Sequence, residues 1–325
     1  MRIRPATRDD NEALCALERR TPLEMGASSL VLDRTNFFAL HDLQARTQVM
    51  LAEDEYGAVI GVCAGALNEV TLAGKRRLLL YIHHERIAPE HQRRGVGGAL
   101  VRALGEHWKD AAAEPVESTY WFIAPENSKS RAYAERGTRP WPVSAYTCSL
   151  QASAEDRPPP KQIGAGPIFD IVRLINRTHE GEELFAPYEQ VDFGQRLSRS
   201  AEYGWGDIYG RFVDGALVAV AGVWDKGRCL LARNGPDDAG KRSWSVADYG
   251  FEDGAEVEMA ALLRDLCARA AAAGRDAVAI TLSPTACLYR EIAGLPHELS
   301  ENLLYTPRIE APADPAPVYL DPLYY

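Results

Sequence analysis

The sequence predicts a mixed α/β (α+β) chain that is organised as two domains. Strand-like runs rich in β-branched residues alternate with runs whose apolar residues recur every three or four positions, as in amphipathic helices. The chain has 325 residues, a length that favours two domains of ordinary size. The order of elements in the first half recurs weakly in the second, which indicates an internal repeat.

The first domain is predicted to span residues 1–151. Turn signals at Tyr56-Gly57 and Ala73-Gly74 separate its central strands. In chain order we expect a strand at Arg2–Pro5, a helix at Asp9–Arg20, an irregular segment over 21–46 with a helix near Asn36–Ala45, strands at Gln48–Glu53, Ala58–Leu67 and Leu78–Ile87, a helix from Val96 to about Ala113, a strand at Ser118–Ala124, a helix near Ser128–Arg136, and a closing strand at Val143–Leu150.

The second domain is predicted to span residues 169–325, after a linker at 152–168. Three consecutive prolines in that stretch prevent both helix formation and sheet pairing. The expected elements are helices at Phe169–Thr178, Ala255–Ala272 and up to Leu288, with strands near Asp207–Val213, Ala216–Trp224, Arg228–Ala232, Ala277–Leu282 and Val318–Leu320.

Composition and charge exclude several classes of function. The net charge is −10, with 19 basic and 19 acidic residues in 1–150 but 17 against 27 in 151–325. An acidic second half is wrong for a nucleic-acid surface; it suits a cationic substrate or simply solubility. The longest apolar run, at 215–224, is too short to span a bilayer, and the N-terminus has no apolar signal core.

The six cysteines indicate no metal site. None belongs to a CxxC pair, and most lie among apolar residues, as reduced and buried cysteines do. We therefore expect a cytoplasmic protein without a structural metal, bound neither to membrane nor to nucleic acid.

The stretch HQRRGVGGAL at 91–100 predicts an anion site. Amides at the start of a helix are unpaired and carry partial positive charge, glycines allow close approach, and two arginines add charge. No Lys-Ser or Lys-Thr follows the glycines, which excludes a P-loop, and Leu100 stands where the dinucleotide fingerprint needs its third glycine. The alternative is a glycine turn with solvated arginines.

Residues 1–150 resemble the GNAT acyl-CoA N-acyltransferase family. A strand ending Ile87-Ala88-Pro89 precedes Gln92-Arg93-Arg94-Gly95-Val96-Gly97, similar to that family's Gln/Arg-x-x-Gly-x-Gly/Ala hallmark. The opening Ile3-Arg4-Pro5-Ala6-Thr7 and the helix between Asn127 and Gly137 are also similar. The resemblance implies two acyltransferase-like domains, each with a central mixed, largely antiparallel sheet flanked by helices.

The same resemblance implies a pocket for acetyl-CoA. The pyrophosphate would lie on the amides of 93–98, and the pantetheine arm would enter where two central strands splay apart. The implied coenzyme residues are Ile87, Ala88, Gln92, Arg93, Arg94, Gly95, Val96, Gly97, Gly98, Ala99 and Asn127. An asparagine at position 127 is equally an ordinary helix cap.

Acyl transfer to an amine needs a base, oxyanion donors and a proton for the leaving thiolate. Family members often carry a glutamate on the strand before the turn, which favours Glu85 as the base, with His83 as the rival. Alternation places Tyr81, His83, Glu85 and Ile87 on one face. Glu85 is alternatively a salt-bridge partner. An amide near Ile87 or Ala88 would serve the oxyanion.

Tyr133 is the candidate acid. It stands four residues before Gly137, as in the family, but only six after Asn127, so that counting from Asn127 puts Ala134 at the tyrosine position. A plain core aromatic is the alternative.

The loop over 21–46 should line the acceptor site, as it does in relatives. Glu24, Met25 and Phe37 are the candidate contacts, suited to an amine with an apolar body. The alternative for Phe37 and Phe38 is that they belong to the core.

The second half lacks the features of a coenzyme site. At the equivalent turn it reads Tyr249-Gly250-Phe251-Glu252-Asp253-Gly254, with no arginine and with carboxylates that would repel a pyrophosphate. We interpret it as a degenerate second acyltransferase-like domain.

The leading hypothesis is an N-acetyltransferase that moves an acetyl group from acetyl-CoA directly to a small-molecule or peptide amine in a ternary complex. A coenzyme-A sensor without turnover and an aminoacyl-tRNA-dependent transferase are the alternatives. The intact phosphate turn and the acidic second half argue against the latter.

Overall fold

A computed structural model describes residues 1–26, 28–155, 157–235 and 238–322. The α-helices of this part of the chain are α1 (Asn11–Arg20), α2 (Val96–Ala111), α3 (Ser128–Ala134), α4 (Ile168–Thr178), α5 (Gln190–Arg196), α6 (Glu256–Ala272) and α7 (Cys287–Ile292). The strands are β1 (Arg2–Pro5), β2 (Leu23–Met25), β3 (Ser28–Arg34), β4 (Thr47–Glu53), β5 (Val59–Leu72), β6 (Lys75–Ile87), β7 (Ser118–Ile123), β8 (Ala145–Gln151), β9 (Lys161–Gln162), β10 (Ile208–Val213), β11 (Ala216–Trp224), β12 (Leu230–Asn234), β13 (Ser243–Phe251), β14 (Ala277–Thr281) and β15 (His297–Tyr305).

The chain forms two compact units. Unit 1 comprises residues 1–142, 229–240 and 303–315, and unit 2 comprises 143–228, 241–302 and 316–325. Each unit is a mixed, largely antiparallel sheet flanked by helices. The strand expected to close the first domain, observed as β8, belongs to unit 2 by its contacts. The assignment of residues 1–151 and 169–325 to an active and a degenerate acyltransferase domain stays a prediction.

The main sheet of unit 1 has the order β1-β4-β5-β6-β7, and the last residues of β15 pair beyond β7. All these pairs are antiparallel except β6 with β7, which is parallel. Strands β2, β3 and β12 form a separate small antiparallel sheet. The parallel step between β6 and β7 is made by the crossover helix α2.

Two apolar cores cover the faces of this sheet. On one face α2 packs through Val96, Leu100, Leu104 and Trp108, which recur at helical spacing as predicted and are all buried. On the other face α1 packs through Leu14 and Leu17, both fully buried. Burying one such leucine is worth about 1.5–3 kcal/mol, so the two helices fix β6 firmly between them.

Unit 2 repeats this arrangement with its own residues. Its sheet has the order β9-β10-β11-β13-β14-β8, and the first residues of β15 pair beyond β8. Strand β13 runs parallel to β14, and α6 is the crossover helix between them. The predicted face of α6 is buried, including Met259, Leu262 and Leu266.

Several expectations differ from the structure. The strand expected near Val318–Leu320 is only an isolated bridge between Val318 and Glu183. The helix expected near 36–45 is only a short 3-10 turn at His41–Leu43. The strand β12, expected within the second domain, pairs with β3 in unit 1. Residues 161–162 of the expected linker pair with β10 as β9. Strand β15 had no counterpart in the predicted elements because its sequence, HELSENLLY, starts with polar residues.

The described helices include none that combines the length and the apolar character needed to cross a bilayer. All six cysteines are free thiols, and Cys287 is the one that is not buried. Within the described ranges, no group of three or more metal-ligating side chains is placed to hold a metal ion.

Candidate functional site

Strands β6 and β7 separate in the middle of the unit 1 sheet. They pair only from Leu79 to Tyr81 of β6, opposite 118–120, although β6 continues to Ile87. Its other edge stays paired with β5 as far as Gly61. Past Tyr81, therefore, one edge of β6 has no partner strand among the described residues, and its backbone groups can bind an extended ligand arm.

A β-bulge interrupts the pairing of β6 with β5 in this part of the strand. Val62 is opposite Arg86, but Ala64 is opposite His83, so that β6 has one extra residue there. His84 takes up the irregularity with a left-handed backbone, φ +51°. The bulge breaks the side-chain alternation that the sequence predicts for this strand.

The expectation that His83 and Glu85 share a face was therefore wrong. The ring of His83 lies beside those of Tyr81 and His84, with centroids 4.9 Å away in each case. Glu85 points instead to the face covered by α2, where a Cβ on Gly97 would overlap its Oε1 atom. Because the extra residue reverses the alternation, the side chains of His83 and His84 lie on the same face of β6 and that of Glu85 lies on the opposite face.

The carboxylate of Glu85 lies against the first turn of α2. The residue keeps exposed surface, but desolvation raises the pKa of Glu85 above its ordinary value, and the nearby charge of Arg86 opposes this rise. No ion pair involves this carboxylate in the described structure, which leaves it able to accept a proton. The salt-bridge alternative therefore has no direct contact to support it.

The turn between β6 and α2 presents a row of free amides. Gly95 caps the helix in the left-handed conformation, φ +81°, and Arg93 is also left-handed, φ +60°. The first backbone bond into the helix runs from the Ala99 amide to the Gly95 carbonyl at 3.1 Å. Within the described residues the amides of 93–98 donate to no protein acceptor, so they are free to bind an anion.

The side chains around this turn agree with an anion site. Arg93 and Arg94 are exposed and form no ion pair with a described residue. Gln92 donates from Nε2 to the carbonyl of Ile87 at 3.2 Å, which fixes the start of the turn to the end of β6. Val96 is buried in the core and anchors the helix.

Of the two strand amides proposed for the oxyanion, one is free. The Ala88 amide donates to the Ile60 carbonyl at 2.9 Å and is occupied. Since paired and unpaired positions alternate along an antiparallel ladder, the Ile87 amide points away from β5 towards the unpaired edge. Ile87 is therefore the available donor.

Tyr133 lies beside the turn and not in the core. It is 55% exposed, which removes the alternative of a plain core aromatic. Its hydroxyl oxygen is 3.9 Å from the position that a Cβ on Gly98 would take. The hydroxyl is thus near the start of α2, beside the free amides of the turn.

Asn127 caps α3. Its Oδ1 accepts from the Ser130 amide at 3.1 Å, the ordinary cap bond named as the alternative. The Nδ2 group makes no hydrogen bond among the described contacts and can still donate to a ligand.

The hairpin of β2 and β3 meets the loop before α3. The Gly26 amide donates to the Glu126 carbonyl at 3.2 Å, and Glu24 forms an ion pair with Lys129. Met25 is half-buried on the same strand. Glu24 and Met25 therefore lie near Asn127, with the Glu24 charge already compensated.

Phe37 does not line a surface. It is completely buried in the core beneath α1, and its ring packs on His41 and His84. Its prediction as an acceptor contact has to be corrected: helix α1 and the turn after β3 cover it, in line with the core alternative.

A buried polar cluster that the sequence analysis did not identify lies on the α1 face of β6. Glu18 and Arg34 form a buried ion pair at 2.8 Å, and Arg34 contacts His84 at 3.0 Å. Burial, with the charge of Arg34, lowers the pKa of His83 to about 3 and that of His41 and His84 well below the ordinary value. The His83-His84 doublet was the visible signal, but its partners are more than 40 residues away in sequence.

Unit 2 keeps the strand geometry of unit 1 but has paired carboxylates in its turn. Its parallel pairing of β13 with β14 also covers only three residues, 243–245, and β13 has a bulge near Ala247. In its turn, however, Glu252 pairs with Arg173 at 2.7 Å and with Arg177 at 3.0 Å. Carboxylates occupy the place that arginines take in unit 1.

The separation of β13 from β14 is bridged by protein groups of the same unit. The Tyr249 hydroxyl donates to the Thr281 carbonyl at 3.0 Å, and the Thr281 hydroxyl donates to the Leu320 carbonyl at 2.8 Å. Asp248 binds the Tyr203 hydroxyl at 2.6 Å and Arg196 at 3.2 Å. These buried contacts fill the region with the chain's own side chains.

Comparisons with known proteins agree with this geometry. Residues 12–138 match the family model described as acetyltransferase (GNAT) family. No curated protein matches the chain. A solved structure of Saccharomyces cerevisiae N-myristoyltransferase with bound myristoyl-CoA superposes with a TM-score of 0.69 at 11% identity, covering 95% of this chain and 79% of that one.

A second solved structure covers the chain almost end to end. The GCN5-related N-acetyltransferase from Sphaerobacter thermophilus superposes with a TM-score of 0.56 at 14% identity, covering 98% of each chain. At these identities the two structures establish the fold alone. Residues 12–138, which contain the splayed strands and the free turn amides, thus match the model of the GNAT acetyltransferase family.

Proposed function

We propose that the protein is an acyl-CoA-dependent N-acyltransferase that moves an acetyl group from acetyl-CoA to a primary amine in a ternary complex. One observation carries the proposal: the free amides of 93–98 lie directly after the unpaired edge of β6. A phosphate-bearing ligand with an extended arm fits that combination, because the amides bind the phosphates and the strand edge binds the arm.

The proposed roles follow the contacts. The pyrophosphate lies on the turn with Arg93 and Arg94, and the pantetheine arm pairs with β6 and the Asn127 Nδ2 group. The Ile87 amide donates to the oxyanion of the tetrahedral intermediate. Glu85 takes the proton of the ammonium, and Tyr133 returns one to the leaving thiolate.

Bonds and protons are conserved in the proposed reaction. The neutral amine attacks the thioester carbonyl, the C–S bond breaks as the amide forms, and the thiolate leaves as coenzyme A thiol. The amine loses one proton before attack and a second after it, and the thiolate takes up one. Desolvation raises the pKa of Glu85 above its ordinary value, the direction that favours uptake of a proton from the ammonium.

The identities of the acyl group and of the acceptor are further parts of the proposal. The solved yeast structure holds myristoyl-CoA and the family model names acetyltransferases. We propose acetyl as the group, a small-molecule or peptide amine as the acceptor, and the cytoplasm as the location. Unit 2 is proposed as a degenerate acyltransferase-like unit that binds no coenzyme, because Glu252 is paired with arginines where the anion would lie.

Radiolabelled transfer with an acyl-CoA panel and an amine panel tests the proposal. Acetyl-CoA should support transfer to at least one primary amine. Turnover with a long-chain acyl-CoA alone would replace the acetyl part, while binding of coenzyme A without turnover on any amine would favour the sensor.

Paired glycine variants test whether the turn is the site. Gly98→Val places a side chain where a Cβ has only ordinary contacts, so the free protein tolerates it, yet the new methyls crowd the turn. Gly105→Val is the matched control, since a Cβ there meets nothing within 4 Å, on the same helix. The first should abolish coenzyme binding by calorimetry and the second should leave it unchanged. Normal binding by Gly98→Val would move the pyrophosphate elsewhere.

A further inference from the structure

A chain of one ion pair and two hydrogen bonds runs beneath β6 from Glu18 to His83. The Glu18 carboxylate pairs with Arg34 Nε at 2.8 Å, and Arg34 Nη2 lies 3.0 Å from His84 Nε2. His84 Nδ1 in turn lies 2.7 Å from His83 Nδ1. Glu18, Arg34 and His83 are all buried.

This chain allows only one placement of the protons. A guanidinium has donors and no acceptor, so His84 Nε2 must accept from Arg34. A neutral His84 then carries its proton on Nδ1 and donates it to His83 Nδ1. His83, accepting at Nδ1, must carry its own proton on Nε2.

The result is a fixed donor whose partner is missing. His83 Nε2 is buried and has no hydrogen-bond partner in the described structure. An unmet buried donor costs about 1–3 kcal/mol, so a group that accepts a hydrogen bond is expected beside it. His83 also cannot act as a base at Nε2 while the chain is intact, because that nitrogen already holds a proton.

His41 supplies the complementary acceptor. The Thr47 hydroxyl donates to the Gly65 carbonyl at 3.3 Å, and His41 Nδ1 lies 3.3 Å from the same hydroxyl oxygen. His41 Nδ1 must therefore be the donor, which leaves Nε2 unprotonated. That nitrogen is likewise buried and without a partner.

The two unmet atoms belong to neighbouring rings. The centroids of His41 and His83 are 5.2 Å apart. One oxygen at hydrogen-bond distances of about 2.8 Å can span rings at this separation. It would accept a hydrogen bond from His83 Nε2–H and donate one to His41 Nε2. A hydroxyl can do both, whereas a cation has no acceptor and an anion has no donor.

We propose that His41 and His83 form a subsite for one hydroxyl group, occupied by a water molecule in the free protein. Glu18, Arg34 and His84 are positioning residues that hold His83 in the donor tautomer. The site lies on β6 two residues past the last pair with β7. Whether the hydroxyl of an acceptor can replace the water rests on the proposed function; the water site itself does not.

Nitrogen-15 NMR of the full chain labelled at histidine tests the proton placement at pH 8. Single His41→Phe, His83→Phe and His84→Phe variants assign the signals. We expect His83 protonated on Nε2 and both His84 and His41 on Nδ1. A His83 signal protonated on Nδ1, or an imidazolium within the cluster, would overturn the proposal.

The oxygen itself is detected by cross-relaxation between the His83 Nε2 proton and water. The signal should be present in the wild type and lost in His41→Phe, which removes the acceptor. Arg34→Met should mix the tautomers of His83, whereas Arg19→Met, on helix α1 and paired with Asp33, should leave them unchanged. No water signal in a correctly folded wild type would contradict the subsite.

A matched pair of amines separates the two sources of the hydroxyl. Ethanolamine should displace the water signal if an acceptor hydroxyl enters, and propylamine, which lacks the hydroxyl, should not. Retention of the signal with both identifies water as the occupant. These readouts need no turnover, so they succeed or fail independently of the transferase assay.

Discussion

At the scale of single residues, Glu85 has the central role in the proposed catalysis. The bulge in β6 turns its carboxylate towards α2 and away from His83, and desolvation raises its pKa. Glu85 lies beside Gly97, between the unpaired edge of β6 and the turn that precedes α2. The proposed base and the proposed anion site are therefore neighbours, and their variants need separate readouts.

Glu85→Gln should abolish most turnover at neutral pH. A general base contributes about 10²–10⁴-fold, and the amide keeps the shape while losing the basicity. The wild-type rate should fall as the pH drops through the raised pKa of Glu85, since the base must be unprotonated. The variant should lack this limb and recover partly at high pH, where more of the amine is neutral. Rates from pH 5 to 9 check this.

The controls for Glu85 separate catalysis from binding. Glu90→Gln changes a neighbouring exposed carboxylate paired with Arg20 and should keep the wild-type profile. Coenzyme affinity of Glu85→Gln should not fall. An equal loss of affinity and rate would make Glu85 a structural part of the turn. Protonation of His83 cannot cause the acid limb of the rate profile, because its pKa of about 3 lies far below the pH of that limb.

Arg94→Ala should weaken coenzyme binding by about 1–3 kcal/mol, the scale of a charge-assisted hydrogen bond. The guanidinium is exposed and unpaired beside free amides, so nothing in the described protein compensates for its charge. Calorimetry at low salt measures the loss. Arg139→Ala, another exposed arginine of unit 1, is the control, and equal effects of the two would reduce Arg94 to a contributor of general charge.

At the scale of elements, the three histidines beneath β6 make the stability of unit 1 depend on pH. They are neutral in the folded state, while in the unfolded chain each takes up a proton below about pH 6.5. The unfolded state then binds more protons, so the free energy of unfolding decreases as the pH falls through that value.

The acid sensitivity of unit 1 should therefore be marked. For His83, with a folded pKa of about 3, the loss at pH 5 is about 2 kcal/mol relative to pH 8. Urea unfolding of the wild type and of His83→Phe at the two pH values measures it. The variant should lose that part of the dependence, and His107→Phe, at a site outside the cluster, should not. Equal slopes in all three proteins would contradict the neutral assignment.

Secondary structure was predictable where one face of an element meets a core. Helix α2 and strands β4 and β7 lie where periodicity placed them, because burial on one face imposes a regular spacing. Strand β15 begins with polar residues, and its pairing with β7 and β8 depends on neighbours distant in sequence. Local pattern contains no information about such partners.

At the scale of the whole molecule, the two units have the same order of strands around a crossover helix but different turns. Unit 1 offers free amides and unpaired arginines, while the unit 2 turn holds Glu252 and Asp253 paired with Arg173 and Arg177. Buried side chains and the segment around Leu320 occupy the region where β13 leaves β14. The strand geometry is retained, but the electrostatics of the turn are reversed.

Calorimetry with coenzyme A should accordingly give one site per chain. Gly98→Val should abolish all binding, because no second site remains to be observed. Two equivalent sites in the wild type, or residual binding at half the stoichiometry in the variant, would show that unit 2 is functional.

The sequence by itself determined the turn proposed as the anion site, the strand that precedes it and the helix that follows, because a phosphate site of this kind would need only local features: glycines, free amides and two arginines. It also placed Tyr133 and Asn127 on a helix beside the site. Tertiary structure decided which way the side chains point. One extra residue in β6 separated Glu85 from His83, and packing beneath α1 buried Phe37. Folding also joined Glu18 and Arg34 to His84, since desolvation and hydrogen bonding act between residues that only the fold brings together.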